Sequence, residues 1–311
     1  MILMSNSSLR LFEHVRKNVR NTKYGILLTY TFDPEFFENS ILPLINESFP
    51  KLLVFVDENE YYHLLKNKQM NLAGRKYYLI PVSLSGIFHP KLAIFISKKY
   101  VHLYVGSMNI TGTGFLTNLE TLYYIKFPNK KVNPVLGQVK EFLHEIKKHN
   151  PFLQESKIIK RTLSEILSDI DKFSINSSYE TKSSAPSIKF VHNLHNPIIN
   201  EITHLVDFKP TEIHVLGPFY GDFSVVETLM RRFPEINIYV YLQNGKFNGK
   251  VENILENRNL HFMNITSDEG RYIHAKLLAF SNINKSIIYV GSATVSYTHL
   301  RAHETPEHLV C

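Results

Sequence analysis

Two stretches of this 311-residue chain carry the same reactive side chains at the same spacing. The first is His89-Pro90-Lys91, then an apolar run from Leu92 to Ile96, a polar break at Ser97-Lys98-Lys99, a second run from Tyr100 to Val105, and Gly106-Ser107-Met108-Asn109. The second is His274-Ala275-Lys276, then Leu277 to Phe280, a break from Ser281 to Lys285, a run from Ser286 to Val290, and Gly291-Ser292. In each, the glycine stands 17 residues after the histidine (positions 89 and 106, 274 and 291). Imidazole titrates near neutrality and serves as nucleophile, acid or base. An ammonium, a hydroxyl and an amide beside it are donors for an anion, and glycine lets the backbone approach closely. One copy of His-x-Lys is weak evidence, because a surface strand yields it by chance; two copies with matched Gly-Ser are not so explained.

The elements around these residues must bring them together. Residues i and i+2 of a strand share a face, so each histidine should lie beside its lysine. Two runs of similar length about a short break read as a hairpin, which returns the Gly-Ser to the histidine. Upstream, Tyr24 to Tyr30 reads as a buried strand. Asp33-Pro34 reads as an N-cap and N1 proline opening a helix through Phe36, Ile41, Leu42 and Ile45. Leu52 to Val56 and Lys76 to Val82 are further strands, with a short helix about Tyr61 to Leu65 between them. The second half repeats this order: a strand at Glu212 to Leu216, a helix capped by Asp222 through Val225, Val226 and Leu229, a strand at Ile236 to Leu242, a short helix at Val251 to Leu255, and a strand at Leu260 to Ile265. The expected fold is α/β, two pseudo-twofold-related halves that each place a mixed sheet between flanking helices. Facing halves would set two imidazoles and two ammoniums around one anion.

These motifs resemble the phospholipase D superfamily, whose signature is His-x-Lys followed by Gly-Ser-x-Asn, and the stretch from Phe88 to Glu120 resembles its bacterial nuclease-like branch. The resemblance runs from Ser8 to Thr294. It implies that His89, Lys91, Ser107, Asn109, Glu120, His274, Lys276 and Ser292 are catalytic. The implied reaction is a two-step, metal-independent phosphodiester transfer, in which one histidine attacks phosphorus and the other protonates the leaving oxygen and then activates water. Lys91 and Lys276, with Ser107 and Asn109, would stabilise the nonbridging oxygens in place of a metal. No cofactor and no metal site is expected. The chain departs from the signature at its usual aspartate, which falls on Ile96 and Ser281, and at Thr294, where asparagine is usual. Nothing after Gly291 corresponds to the strand at Leu119 to Phe127 and its following helix, so the second half reads as truncated.

The expected boundaries are 8–150 for the first half, 151–193 for a helix (Ile159 to Ile170) and serine-rich linker, 194–294 for the second half, and 295–311 for a non-native tail resembling translated adapter sequence. The tail's three histidines and Cys311, the one cysteine, carry no functional weight. A disulfide framework and a cysteine zinc site are therefore excluded. No run approaches the roughly 18 apolar residues of a membrane span, and the chain reads as cytoplasmic. Lys and Arg number 35 against 28 acidic residues, net +7, which favours an anionic partner. Nucleic acid, DNA ahead of RNA, is the expected partner. The alternatives are a phospholipase or phosphatidyltransferase on lipid headgroups and an inactive nucleic-acid-binding module. Oligomeric state is left open. The pairs Tyr61-Tyr62, Tyr77-Tyr78 and Tyr123-Tyr124 are read as packing residues rather than base-stacking ones.

Overall fold

The computed structural model describes residues 2–3, 8–19, 21–45, 51–84, 86–128, 133–174, 187–218, 220, 223–245, 258–267 and 270–292. The expected Asp222 cap, the short helix at Val251 to Leu255, Thr294, most of the linker and the tail lie outside them.

The apolar runs of the first half become β1 (Ile2–Leu3), α1 (Ser8–Asn18), β2 (Thr22–Leu28), α2 (Pro34–Phe36), α3 (Leu42–Ile45), β3 (Lys51–Asp57), α4 (Glu58–Asn67), β4 (Tyr77–Val82), β5 (Leu92–Ser97), β6 (Tyr100–Gly106) and β7 (Thr121–Pro128). Asp33 caps as expected, its carboxylate accepting the Phe36 N–H at 3.2 Å. The helix it opens is not uniform, since Phe37–Ile41 forms a π-helical turn between α2 and α3. In that turn buried Glu38 accepts the N–H groups of Asn71 and Leu72 and the Tyr77 hydroxyl. Helices α5 (Pro134–His149), α6 (Pro151–Glu155) and α7 (Lys157–Ser174) follow β7.

The strands form one mixed sheet of order β1-β7-β6-β5-β2-β3-β4. Alternation along each strand sends side chains to two cores. Ile26, Phe55, Ile94 and Leu103 pack with Leu136, Phe142 and Ile166 of α5 and α7. Leu27, Val54, Phe95 and Tyr104 pack with Leu11, Phe37, Leu42 and Leu64 of α1 to α4. Both faces are thus covered, and the central strands read as continuous apolar runs.

The second half contains α8 (Ile198–His204), β8 (Glu212–Leu216), α9 (Ser224–Arg232), β9 (Asn237–Gln243), β10 (Leu260–Ile265), β11 (Leu277–Ser281) and β12 (Ser286–Val290). Its sheet has the order β10-β9-β8-β11-β12. Pairing is parallel from β8 to β10 and antiparallel through β11 and β12, matching β2 to β4, β5 and β6 in the first sheet. Among the described residues nothing takes the place of β7 beside β12. Ile213, Val240, Leu278 and Phe280 pack with Ile202, Val226 and Leu229 in a third core. Among the described residues no helix is long and apolar enough to cross a membrane.

Candidate active site

In the first half the hairpin forms as read, with Leu92 opposite Val105. His89 and Lys91 precede β5 rather than lying in it, so their proximity comes from the loop entering the strand. That loop is tied to the end of β3, where buried Asp57 accepts the Phe88 N–H at 2.9 Å and the Asn59 N–H at 3.0 Å. Lys91 is 4% exposed. Its Nζ sits 2.7 Å and 2.9 Å from the two ring nitrogens of His89 and donates to the His89 carbonyl at 3.1 Å. The Gly106 N–H donates to the Lys91 carbonyl at 3.1 Å, so the hairpin closes on the motif. A Cβ at Gly106 would stand 2.2 Å from the Thr121 carbonyl oxygen, which excludes every side chain there.

Ser107 is buried, and its hydroxyl donates to Glu120 Oε2 at 2.5 Å while accepting the Thr121 N–H at 2.9 Å. Asn109 Oδ1 accepts the Thr31 N–H at 3.3 Å, linking the motif to the residues just past β2.

The second motif is bound to the first half through its backbone. Leu119 donates to the Tyr272 carbonyl at 2.8 Å, and His274 donates to the Leu119 carbonyl at 2.9 Å. Arg271 brackets the same loop, donating to the Thr117 carbonyl at 2.8 Å and the Asn118 carbonyl at 2.7 Å. From β9, the Gln243 amide donates to the Arg271 carbonyl and accepts the Ile273 N–H, both at 2.8 Å. This clasp brings His274 Nδ1 to 2.8 Å and 2.9 Å from the two oxygens of Glu120. Facing a carboxylate, Nδ1 carries the proton, and Nε2 lies 3.1 Å from Lys276 Nζ.

No protein-family model matches the sequence, and no curated protein does. Solved structures do match. The polyphosphate kinase of Porphyromonas gingivalis is 14% identical with a TM-score of 0.52, over 95% of this chain and 45% of that one. This chain therefore spans less than half of that enzyme. A mutant of the yeast tyrosyl-DNA phosphodiesterase is 11% identical with a TM-score of 0.57, over 93% of this chain and 81% of that one. The chain has the duplicated phospholipase D-type fold. A kinase and a phosphodiesterase share that fold, so the likeness does not single out the nuclease-like branch.

Within this phospholipase D-type fold the electrostatics centre on one carboxylate and two lysines. Burial pushes the Glu120 carboxyl up, but the hydrogen bonds and charge of His274, Ser107 and Lys276 outweigh it and hold Glu120 below the ordinary range. Lys276 is 1% exposed, and burial lowers its ammonium to about 8 against a partial pull from Glu120. Burial, then the charge of Lys276, drives Lys91 well below the ordinary lysine range, with Glu120 opposing. The hydrogen bond from His274 to Glu120 joins the second motif to the first, with Lys91 and Lys276 buried beside their histidines. One buried carboxylate lies between two buried lysines, an arrangement that an incoming anion would complete.

The structure brings His89, Lys91, Ser107, Asn109 and Glu120 to one end of the first sheet, and it joins His274 and Lys276 to them through Glu120. Gly291 and Ser292 line, with His89 and Lys91, a cavity of about 1050 Å³ between the halves; His274, Lys276 and Glu120 do not line it. One expectation changes. Ser107 does not point a free hydroxyl at substrate, because Glu120 holds it. Glu120, for which the sequence named no partner, meets the histidine of the other half. The absent aspartates are also explained in place: Ile96 is buried core, and Ser281, at the far end of β11, donates to Glu212 at 3.0 Å. Among the described residues no group of three or more His, Cys, Asp or Glu could hold a metal ion. Asp57, Gln243 and Arg271 were not foreseen, since no local pattern marks a residue whose partner is distant in sequence. Tyr30 also packs on the site, its ring 4.7 Å from that of His89.

Proposed function

We propose that the chain is a phosphodiesterase that cleaves nucleic acid through a phosphohistidine. The observation that carries this reading is His274 held by the first half's Glu120 while Lys276 and Lys91 lie buried beside their histidines. A ring nitrogen of His89 attacks phosphorus, and the bond to the leaving oxygen breaks as His274, entering the step as the imidazolium protonated on both ring nitrogens, gives its Nε2 proton to that oxygen. His274 then takes a proton from water, the resulting hydroxide attacks phosphorus, and the P–N bond to His89 breaks. Glu120 fixes the His274 tautomer and orientation throughout, with Ser107 fixing Glu120. Lys91 and Lys276 bear on the nonbridging oxygens, where buried charge is most effective. Asn109 ties the Gly-Ser turn to the residues just past β2 and keeps its amide N–H groups for substrate. Net charge of +7 supports a polyanionic substrate.

One observation favours a lipid headgroup as a second reading. The cavity beside His89 and Lys91 has apolar walls, including Leu92, Leu103, Ile125 and Phe142, suited to an acyl chain. The deciding experiment incubates the full chain with labelled single-stranded DNA, duplex DNA, RNA and phosphatidylcholine vesicles in excess EDTA. Cleavage of DNA that disappears in His89→Ala is the expected result. Cleavage of phosphatidylcholine alone would move the substrate to lipid, and DNA cleavage that needs added magnesium or manganese would refute the mechanism.

A further inference from the structure

We infer that Tyr30 and Tyr272 are a pair of stacking platforms, one beside each histidine, that select unpaired nucleobases flanking the scissile phosphate. The inference rests on the phosphodiesterase reading and narrows its substrate to single-stranded nucleic acid. The Tyr30 ring centroid lies 4.7 Å from that of His89, with 5.7 Å from the centroid to Lys91 Nζ. In the other half the Tyr272 ring centroid lies 6.1 Å from that of His274. The two tyrosines come from unrelated positions, one just past β2 and one two residues before its histidine. Each half thus sets a tyrosine ring beside its histidine from a different piece of backbone.

Both pieces are held. Thr29 donates its N–H to the Phe55 carbonyl at 3.0 Å and its hydroxyl to the Thr31 carbonyl at 2.8 Å, and Thr31 donates to Asn109, so Tyr30 sits between two anchored residues. The Tyr272 carbonyl accepts from Leu119, while Arg271 and Ile273 on either side are fixed by the first half and by Gln243. Tyr272 is nonetheless 43% exposed, and Tyr30 is half-buried. A large ring presented to solvent from a fixed backbone loses little conformational entropy when a flat group settles on it. The flat groups adjoining a phosphodiester in nucleic acid are its bases, and stacking on a protein ring tolerates any base. Bases within a duplex are already stacked and would have to be taken out of the helix. A glycerol headgroup offers no such plane.

The test compares hydrolysis of a single-stranded oligothymidylate with that of an oligomer of equal length built from abasic spacers, which keeps the phosphodiesters and removes the bases. The wild-type chain should favour the oligothymidylate in kcat/KM by about tenfold or more for each ring engaged. Tyr272→Leu should lower that preference about tenfold, and Tyr272→Phe should retain it. Tyr30→Leu should lower it by a similar factor. The preference is a ratio within one protein preparation, so partial loss of folded enzyme does not change it. Equal cleavage of both oligomers by the wild type would overturn the platforms and leave the phosphodiesterase standing, as would an undiminished preference in Tyr272→Leu. Cleavage of neither oligomer would remove nucleic acid as the substrate of the phosphodiesterase, and the platforms with it.

Discussion

Lys276 is the residue at which chemistry and stability oppose each other, and Lys276→Met separates them. The ammonium is buried, and burial outweighs the attraction of Glu120, so the group titrates near 8 instead of 10.5. A displacement of that size corresponds to about 3 kcal/mol against the charged form. Because the folded value lies below the unfolded one, the unfolded chain binds more protons between pH 8 and 10.5. The cost is fully present below about pH 8, and wild-type stability recovers it as pH rises through that window. Methionine removes the buried charge with little change in volume. The attraction of Glu120 is already contained in that displacement; against the gain, the His274 carbonyl loses its ammonium donor at 3.2 Å. The expected net gain is about 1–2 kcal/mol at pH 7; the wild type recovers about 2–3 kcal/mol by pH 10, so the gain falls to zero or reverses there, while hydrolysis is abolished. Urea midpoints of both proteins at pH 7 and pH 10, with matching m-values, measure it. A variant less stable than wild type at pH 7, or a difference that does not shrink with pH, would refute the reasoning.

Three further substitutions probe the site. Glu120→Gln keeps an oxygen near His274 Nδ1 but removes its charge, and kcat/KM should fall about 10- to 100-fold; steady-state kinetics on a DNA substrate checks this. Gly106→Ala drives a Cβ into the Thr121 carbonyl and the Leu122 Cα, both backbone, so β6 and β7 must part, and denaturation should show a loss of about 2–4 kcal/mol. Arg271→Ala releases the Thr117 and Asn118 carbonyls. It should reduce kcat more than KM, because Glu120 and His274 lose their registration while the lysines remain.

Much of this architecture is legible in the sequence because it depends on local runs. Glu212–Leu216 and Leu260–Ile265 coincide with the strands expected from their apolar residues, and both hairpins close where the Gly-Ser falls. The reactive residues are legible because they recur at one spacing. What joins the two copies is not. Glu120 meets His274 across 154 positions, and Arg271 meets Thr117 across a similar distance. Such contacts depend on the docking of the halves, which no window of sequence contains. The π-helical turn at Phe37–Ile41 is equally hidden, because it rests on distant residues of its own half. Glu38 there answers to Asn71, Leu72 and Tyr77, residues about 35 positions on. Tyr30 and Tyr272 lack any motif and emerge only as neighbours of the histidines.

The most direct test of the account is acid-quenched mass spectrometry of the protein with an activated phosphodiester, whose leaving group needs no proton. The account predicts a phosphoryl adduct on His89 in the wild type and in His274→Ala, and none in His89→Ala. An adduct on residue 274 in His89→Ala, with none in His274→Ala, would contradict it.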